Sequence, residues 1–382
     1  MIIKNKEKIA IIATVPMMIR FFLVNHINLL KNNYEVTIIT NLNINKELIN
    51  LFSNDIKKIH IPFRRNISLF YDIFSLILLM IHFKKNNYKI TYSISPKGGF
   101  LSTTAAYIMR IPIRIHTFTG QVWVNNKGLK KYILQSIDKL ISFFATKVII
   151  DSQSQKSFLI DKKIINEDKS IVIGEGSISG VNIKKFKPNS DTRKKIRLEL
   201  GVNRKSIVYL FLGRINKDKG ILTLIEAYKK ILNDNMYDDS CLWIVGKDEE
   251  SLLPKLKSEL KAFSSKIRFI DYTDHPEKYM QSADIFCLPS RREGFGSTII
   301  ESGACGIPSI ASNIYGIVDA VSKDTGLLCE LDSADDLAKK MILLARNKDL
   351  RVEMGKKAKE RTIDKFEENN VSFNLINLIN SL

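Results

Sequence analysis

The sequence predicts an α/β protein with two Rossmann-like domains, each a doubly wound parallel sheet with helices on both faces. Its 382 residues exceed what one hydrophobic core usually supports. Short apolar runs typical of buried strands alternate with stretches of helical periodicity. This alternation begins again after the segment Phe186, Lys187, Pro188, which marks the boundary between the two domains.

The first domain is expected over residues 1–188. Its strand candidates are short runs rich in Ile, Val, Tyr and Phe, at residues 9–15, 35–40, 59–63, 88–95, 114–118, 147–151 and 171–174. Helical patterns lie between them, at residues 19–31, 69–83, 99–109 and 129–144. Strands that alternate with helices in this way indicate parallel pairing, because a parallel strand needs a crossover connection.

The second domain is expected over residues 189–360. Its strand candidates lie at residues 206–213, 242–246, 267–270, 285–288 and 308–311, and a helical pattern follows each of them. The chain is helical and charged from residue 348 to 368, then apolar again at 371–378. We expect residues 361–382 to form a helix that returns to the first domain.

The charge of the chain is strongly asymmetric. Residues 1–190 contain 28 Lys and Arg against 11 Asp and Glu, a net charge of +17, whereas residues 191–382 contain 31 against 29, a net charge of +2. A basic half suggests an anionic partner, which could be nucleic acid, an anionic membrane surface or a phosphorylated acceptor. The alternative is a Lys- and Asn-rich composition without a partner. The four cysteines are scattered and indicate neither disulfides nor a metal site.

The apolar run at residues 67–83 is too short for a membrane span and contains Asp72. Its position between two strands predicts a buried crossover helix. Arg64 and Arg65 precede it, and Lys84 and Lys85 follow it. Because basic residues flank an apolar helix, contact of this domain with a membrane surface is also expected.

Two loops of the second domain combine the residue types that bind a sugar nucleotide. The first runs from Gly213 to Gly220 and contains Arg214 and Lys219. It follows a strand and opens a helix, where anions bind in parallel α/β sheets. Arg offers a planar set of donors and Lys a compact charge, so the pair suits a diphosphate.

The second loop contains Glu293, Gly294, Phe295 and Gly296 and leads into a helix that carries Glu301. Glycines let the backbone approach a ligand closely, and the first turn of the helix supplies N–H groups for a phosphate. Two carboxylates beside phosphate-binding glycines suit the recognition of a polyol, because carboxylates accept hydrogen bonds from adjacent hydroxyl groups.

Together these motifs resemble the family 4 glycosyltransferases, whose fold is GT-B. The spacing of Glu293 and Glu301 matches the E-x7-E motif of that family, the loop of Arg214 and Lys219 matches its basic loop, and residues 282–290 resemble the strand before the first glutamate. Residues 180–188 resemble the inter-domain segment, with Asn182 where the family usually has Asp.

The resemblance implies a role for each matching position. Glu301 would bind the ribose and Glu293 the donor sugar, while Arg214 and Lys219 would hold the diphosphate. His116, at the end of a first-domain strand, would contact the donor sugar. Residues 269–272, ending at Tyr272, lie where the family contacts the base, although the family usually has Gly where Asp271 stands.

The first domain resembles bacterial enzymes that build O-antigen or capsule units on a polyprenyl diphosphate. This similarity lies in residues 116–123 and in the loops of Arg20 and Lys97, which we expect to face the acceptor's diphosphate. The resemblance implies a retaining transfer of an N-acetylated hexosamine or related sugar from a UDP-sugar, with GDP-sugars left open as donors. It also implies that no metal or other cofactor is needed and that the enzyme is located at the cytoplasmic face of the membrane. The sequence contains no D-x-D motif.

Three other functions fit parts of the sequence. A GT-B nucleotide-sugar epimerase would share the fold and act without an acceptor. A nucleic-acid-binding protein would explain the basic half, but no recognition motif is present. A nucleotide sensor without activity would retain the loops without turnover.

Overall fold

The computed structural model describes residues 6–44, 50–233 and 239–382, and the chain divides into two compact units. Unit 1 comprises Met1–Ser179 and Glu368–Leu382, and unit 2 comprises Gly180–Glu367. The first division precedes the one expected at residue 188, because Val181 pairs with Glu367 and Phe186 is buried in the core of unit 2. The second division falls at residue 367, where a long helix ends, and not at residue 360.

Unit 1 contains a parallel seven-stranded sheet in the order β3-β2-β1-β4-β5-β6-β7. Its strands are β1 (Glu7–Ala13), β2 (Tyr34–Thr40), β3 (Lys57–His60), β4 (Ile90–Ile94), β5 (Ile113–Phe118), β6 (Lys147–Ile150) and β7 (Ser170–Val172). Each of the seven strands predicted for this domain is present, and the parallel α/β architecture is confirmed.

The described helices of unit 1 are α1 (Pro16–Phe22), α2 (Val24–Leu30), α3 (Leu69–Asn86), α4 (Pro96–Ile108), α5 (Gly128–Phe144) and α6 (Gln153–Asp161). The sequence predicts one helix at residues 19–31, whereas the structure has two short helices on either side of Leu23. Leu23 is buried, and its φ of −121° lies outside the helical region.

Helices cover both faces of this sheet, as a doubly wound fold requires. Successive strand residues point to opposite faces, so Ile9 and Ile11 pack in one core while Ala10 and Ile12 pack in another. The first core includes α1, α2 and the C-terminal helix, and the second includes α3 and α4. Among the described residues, no helix combines the length and apolar character needed to cross a bilayer.

Unit 2 contains a parallel six-stranded sheet in the order β10-β9-β8-β11-β12-β13. Its strands are β8 (Ile207–Leu212), β9 (Ser240–Val245), β10 (Ile267–Ile270), β11 (Ile285–Leu288), β12 (Ser309–Ser312) and β13 (Gly326–Cys329). The first five confirm predicted strands. The sixth strand, β13, is a four-residue edge strand that begins at a glycine and was not predicted.

The described helices of unit 2 are α7 (Ser190–Glu199), α8 (Ile221–Asn233), α9 (Leu253–Glu259), α10 (Pro276–Met280), α11 (Ser297–Ala304), α12 (Ile317–Ala320), α13 (Ala334–Arg346) and α14 (Lys348–Phe366). The chain then enters α15 (Glu368–Asn380), which packs on α2 in unit 1. Buried His26 joins the two, with Nδ1 2.8 Å from Ser372 Oγ and Nε2 2.6 Å from the Ile178 carbonyl oxygen.

Candidate active site

Two loops of unit 2 meet at the carboxyl edge of the sheet, where the adjacent strands β8 and β11 end. The loop after β8 reaches Gly220, whose φ is +69°. A Cβ at this position would lie 1.8 Å from the carbonyl oxygen of Pro289 in the loop after β11. Only glycine allows this approach, which holds the two predicted loops against each other.

Charged contacts reinforce the junction of the loops. The backbone N–H of Arg291 donates to the Asp218 carbonyl oxygen over 2.8 Å, and Arg292 pairs with the Asp218 carboxylate at 2.9 Å. Asn216 caps the short 3-10 turn at Lys217–Lys219 by accepting from the Lys219 N–H. The position of the Lys219 backbone is thereby fixed.

Lys219 and Glu293 form an ion pair between the two loops. Lys219 Nζ lies 2.5 Å from Glu293 Oε1, and the two side chains are only 18% and 13% exposed. Ser290 also donates to Glu293 Oε1, over 2.9 Å. The structure thus brings together two of the residues predicted to act on the donor, in a partly desolvated position where a charge acts more strongly than in water.

Arg214 lies in the same loop but turns to another partner. Its Nη1 donates to Glu249 Oε2 over 2.9 Å, and about half of its side chain is exposed. Gly213 precedes Arg214. A Cβ added to Gly246 would lie 1.8 Å from the carbonyl oxygen of Gly213. Gly246 is thus held against Gly213, and the guanidinium of Arg214 stays at the surface of the sheet edge.

The segment before α11 is a glycine-rich turn with a buried anchor. Gly296 has a φ of +89° and forms the N-cap of α11 without a side-chain cap. Phe295 points into the core, 1% exposed, with its ring 5.2 Å from that of Phe366. Phe295 was predicted as a binding residue, but the burial of its side chain leaves only its backbone for a ligand. Gly294 lies beneath Gly316, where a Cβ would meet the Gly294 carbonyl oxygen at 2.6 Å.

Glu301 lies one turn inside α11, in a different environment from Glu293. Burial raises the pKa of its carboxyl to about 7; Lys185 lowers this pKa and Glu277 raises it. Lys185 and Glu277 form an ion pair at 3.3 Å. The residues predicted in unit 2 therefore lie on one sheet edge, where Lys219 and Glu293 are joined by an ion pair.

Tyr272 lies just after β10, on the same edge of the sheet. Its side chain is 49% exposed, and its hydroxyl donates to Asp274 Oδ1 over 3.0 Å. An exposed aromatic ring is available for stacking on a flat base. Its contact with the base stays a prediction.

In unit 1, His116 is buried completely. Its Nδ1 lies 2.9 Å from Ser93 Oγ, its ring packs edge-on against Phe118, and its Nε2 has no hydrogen-bond partner among the described residues. A Cβ on Gly99 of α4 would lie 2.2 Å from the ring. Burial lowers the pKa of His116 to about 3. This burial argues against the predicted contact with a donor sugar, because the ring presents no surface to a ligand.

The Lys97 ammonium is engaged by neighbouring groups of unit 1. Its ammonium donates to the carbonyl oxygens of Arg64 and Asn66 and pairs with Asp72 Oδ1 at 2.6 Å. All three of its hydrogens are engaged, so Lys97 ties the loop before α3 to α4. Its approach to an acceptor diphosphate stays a prediction, which would require these contacts to be exchanged. Arg20, in the last turn of α1, is partly buried and its acceptor role stays a prediction.

Several residues of the site were missed in the sequence. Ser290 and Asp218 support the ion pair, Glu249 holds Arg214, and Glu277 faces Glu301. Ser290 and Asp218 stand inside the predicted loops and could have been chosen as polar neighbours. Glu249 and Glu277 come from distant segments, and only the strand order places them here.

The fold and the two loops define a glycosyltransferase of the GT-B fold. A family model described as "Glycosyl transferases group 1" matches residues 192–361. The chain is 32% identical over 338 residues to the capsular polysaccharide biosynthesis glycosyltransferase CapM of Staphylococcus aureus, with 88% of this chain and 87% of CapM covered. It belongs to the group 1 glycosyltransferases.

Other relatives and solved structures agree. A UDP-Gal:alpha-D-GlcNAc-diphosphoundecaprenol alpha-1,3-galactosyltransferase of Escherichia coli is 30% identical, with 79% of this chain and 78% of the relative covered. The crystal structure of HepE from Anabaena in complex with UDP has a TM-score of 0.81 at 16% identity, covering 99% of this chain and all of HepE. A glycosyltransferase from Rickettsia africae has a TM-score of 0.78 at 23% identity, covering 98% of each chain. These structures confirm the predicted fold.

Proposed function

We propose that this glycosyltransferase moves a hexose or N-acetylhexosamine, with retention, from a UDP-sugar to a polyprenyl-diphosphate-linked saccharide during assembly of a capsule or O-antigen. The ion pair of Lys219 and Glu293 carries the proposal. A cation suited to a diphosphate thereby stands beside a carboxylate suited to sugar hydroxyls, in the loops that lead to the uncapped start of α11.

The donor half of the proposal is supported by the chemistry of unit 2. A diphosphate at the start of α11 would meet backbone N–H groups and the ammonium of Lys219, and Arg214 stands in the same loop. Glu301 offers a carboxylate to the ribose. UDP is the nucleotide bound to HepE, whose fold this chain shares.

The acceptor half is supported by the relatives. The Escherichia coli relative is named for a diphosphoundecaprenol-linked acceptor, as is an N-acetylgalactosaminyltransferase of Campylobacter jejuni that is 28% identical. Both names specify alpha-1,3 transfer. Since the galactose of UDP-galactose is itself α-linked, an α product corresponds to retention. An acceptor with a polyprenyl chain would hold the enzyme at the cytoplasmic surface of the membrane.

The chemistry then depends on positioning and on charge. As the bond from the anomeric carbon to the diphosphate breaks, negative charge grows on the leaving phosphate, where Lys219, Arg214 and the start of α11 stabilise it. The acceptor hydroxyl attacks from the same face and passes its proton to that phosphate. Glu293 orients the sugar, and no metal ion takes part.

A panel of UDP- and GDP-sugars with polyprenyl-diphosphate saccharides, read by mass spectrometry of the lipid, tests the proposal. One UDP-sugar should extend one acceptor by a single sugar residue, and a chelator should not change the rate. Lys219→Ala should lower kcat by about two orders of magnitude, as does removal of an oxyanion donor elsewhere. Lys217→Ala is the matched control, because Lys217 is exposed in the same turn.

Two results would contradict the proposal. One is donor consumption without any extended lipid, which would instead fit an epimerase or a hydrolase. The other is an equal rate for Lys219→Ala and Lys217→Ala, which would remove the ion pair from the chemistry.

A further inference from the structure

Helix α3 presents an apolar stripe to solvent. Its inward side, including Leu79 and Phe83, is buried in the core under the sheet. On the opposite side Phe70, Ile73 and Ile77 are 76%, 50% and 48% exposed. Their spacing of three and four residues places them in one row along the helix. A row of large apolar side chains on the outer side of a helix indicates a surface that meets something apolar.

Helix α5 presents a second stripe on the same layer. Leu129 and Tyr132 in its first turns are 76% and 68% exposed, and Phe143 near its end is 63% exposed. Its inward side is held by Ile141, and by Asp138, which accepts from the Trp123 indole N–H over 2.7 Å. Both helices are thus fixed to the domain and expose apolar rows outward.

Helix α4 joins the two stripes into one surface. It lies between α3 and α5 and is buried along most of its length, while its last residues Tyr107 and Ile108 emerge about half exposed. The Tyr107 ring centroid lies 6.2 Å from that of Phe143. We call the outer side of α3 and α5, with the end of α4, the apolar face.

The charge around the apolar face is almost entirely positive. Residues 61–146, which carry these three helices, contain twelve Lys and Arg but only two Asp and Glu. Both carboxylates are engaged, Asp72 by Lys97 and Asp138 by Trp123. Exposed Lys84 and Lys85 end α3, and exposed Lys130 stands in the first turn of α5. An apolar surface with a cationic border is complementary to an anionic bilayer, whose surface attracts cations and whose interior accepts apolar side chains.

We propose that the apolar face docks unit 1 on an anionic lipid bilayer, with α3 and α5 lying in the plane of the interface. Both helices follow strands of a parallel sheet, so each begins at the carboxyl edge of that sheet. Exposed Ile67 and Leu69 stand at the start of α3, and exposed Leu129 at the start of α5. Docking there brings the edge of unit 1 next to the lipid. That this edge could then reach a lipid-linked acceptor rests on the function proposed above. The docking itself does not rest on it.

Sedimentation with vesicles that contain no acceptor tests the docking. The chain should bind vesicles of phosphatidylcholine mixed equally with phosphatidylglycerol, and bind those of phosphatidylcholine alone much more weakly. Raised salt should release it, since the attraction of cations for the lipid is screened. The variant Phe70→Gln, Ile77→Gln, Leu129→Gln should lower the partition coefficient by roughly tenfold or more, because it removes three large apolar groups.

The matched control is Phe373→Gln. Phe373 is 52% exposed on α15, which covers the opposite face of the same sheet. This control should bind vesicles like the native chain. Both variants should still unfold in one cooperative thermal transition, because each substituted side chain is at least about half exposed.

The outcomes separate the docking from the activity. Equal binding of the triple variant and the control would overturn the docking. The docking would also be overturned if the native chain were a dimer that does not bind vesicles and the triple variant were a monomer. The apolar face would then join two copies of the chain. Vesicle binding without transfer to any acceptor would overturn the proposed function and leave the docking intact.

Discussion

Two glutamates of one segment illustrate how position decides chemistry. Glu293 accepts from Lys219 and Ser290, so its charge is balanced in the structure. Glu301, one turn inside the helix that follows, is desolvated with a second carboxylate, Glu277, nearby. Neighbouring carboxylates in different environments take different roles, which suits one that contacts a sugar near the leaving group and another that contacts a ribose.

The raised pKa of Glu301 predicts an effect on stability. Its pKa in the folded chain is about 7, against an ordinary value of 4.5. The folded state therefore binds more protons between these pH values, and stability falls as pH rises through this window, by at most about 3 kcal/mol. Glu301→Gln should be more stable than the native chain at pH 8, with a smaller difference at pH 5. Denaturant titrations at the two pH values measure the free energy of unfolding of both proteins. A stability difference that does not change with pH would show that the pKa of Glu301 is not raised.

The close packing of the His116 ring against Gly99 predicts a structural role for His116, since contact with a substrate would not require this packing. Its ring fills the space over Gly99, so Gly99→Ala should destabilise unit 1 by about 2 kcal/mol through steric overlap. His116→Ala should cost about 2–4 kcal/mol by leaving a cavity. The double variant should be more stable than the sum of the two losses predicts, since each change accommodates the other. Additive losses with a fall in kcat for His116→Ala alone would restore a catalytic role.

At the scale of elements, sequence reasoning located the two loops but not their mutual contact. Strand ends and glycines are local signals, and they placed Lys219 and Glu293 in binding loops. Their pairing joins segments far apart in the chain and depends on β8 and β11 being neighbours. The same reason explains why Glu249 and Glu277 were missed, since nothing in their own segments marks them.

The close approach of these loops makes a prediction for Gly220. Alanine there would take a left-handed conformation and overlap with Pro289, so Gly220→Ala should cost about 2 kcal/mol or more. It should also separate Lys219 from Glu293 and lower activity in the chain that remains folded. Gly201→Ala is the matched control, with a φ of +65° but nothing within 4 Å of an added Cβ. Equal losses at both positions would mean that the loops do not depend on this contact.

The attachment of α15 to α2 makes a prediction with the opposite dependence on pH. Burial lowers the pKa of His26 to about 4, from an ordinary 6.5. The unfolded chain therefore binds more protons between pH 6.5 and pH 4, and stability is lost as pH falls through this window, by up to about 3 kcal/mol. Between pH 7 and pH 5, the free energy of unfolding should fall less in His26→Asn than in the native chain, as measured by denaturant titration. An unchanged slope would show that His26 does not titrate with unfolding.

Strands rich in β-branched and aromatic residues were predictable, even those of three or four residues. The long apolar strands of both sheets were found because a buried strand is continuous in the sequence. The strand β13 was missed because it begins at a glycine and contains no β-branched or aromatic residue. The break at Leu23 was missed because the apolar period continues across it. The fold followed from repeated alternation, which tolerates such local errors.

At the scale of the whole molecule, each unit has its own sheet, core and chemical character. Unit 2 holds the ion pair and the region matched by the family model. Unit 1 carries the positive charge and the apolar face. The positive charge and the flanking basic residues can be read from the sequence. That Phe70 and Leu129 point outward could be seen only in the structure. This division suits a transferase that binds a soluble donor with one unit and meets a lipid with the other.

Calorimetric titration of UDP and of uridine tests the central claim most directly. Uridine lacks the diphosphate, so loss of Lys219 should not affect its binding. Lys219→Ala should weaken UDP binding by roughly tenfold or more relative to the native chain and to Lys217→Ala, because a charge-assisted contact is worth more than 1 kcal/mol. Uridine should bind all three proteins equally. If UDP bound Lys219→Ala as tightly as the native chain, the diphosphate would not lie at this ion pair.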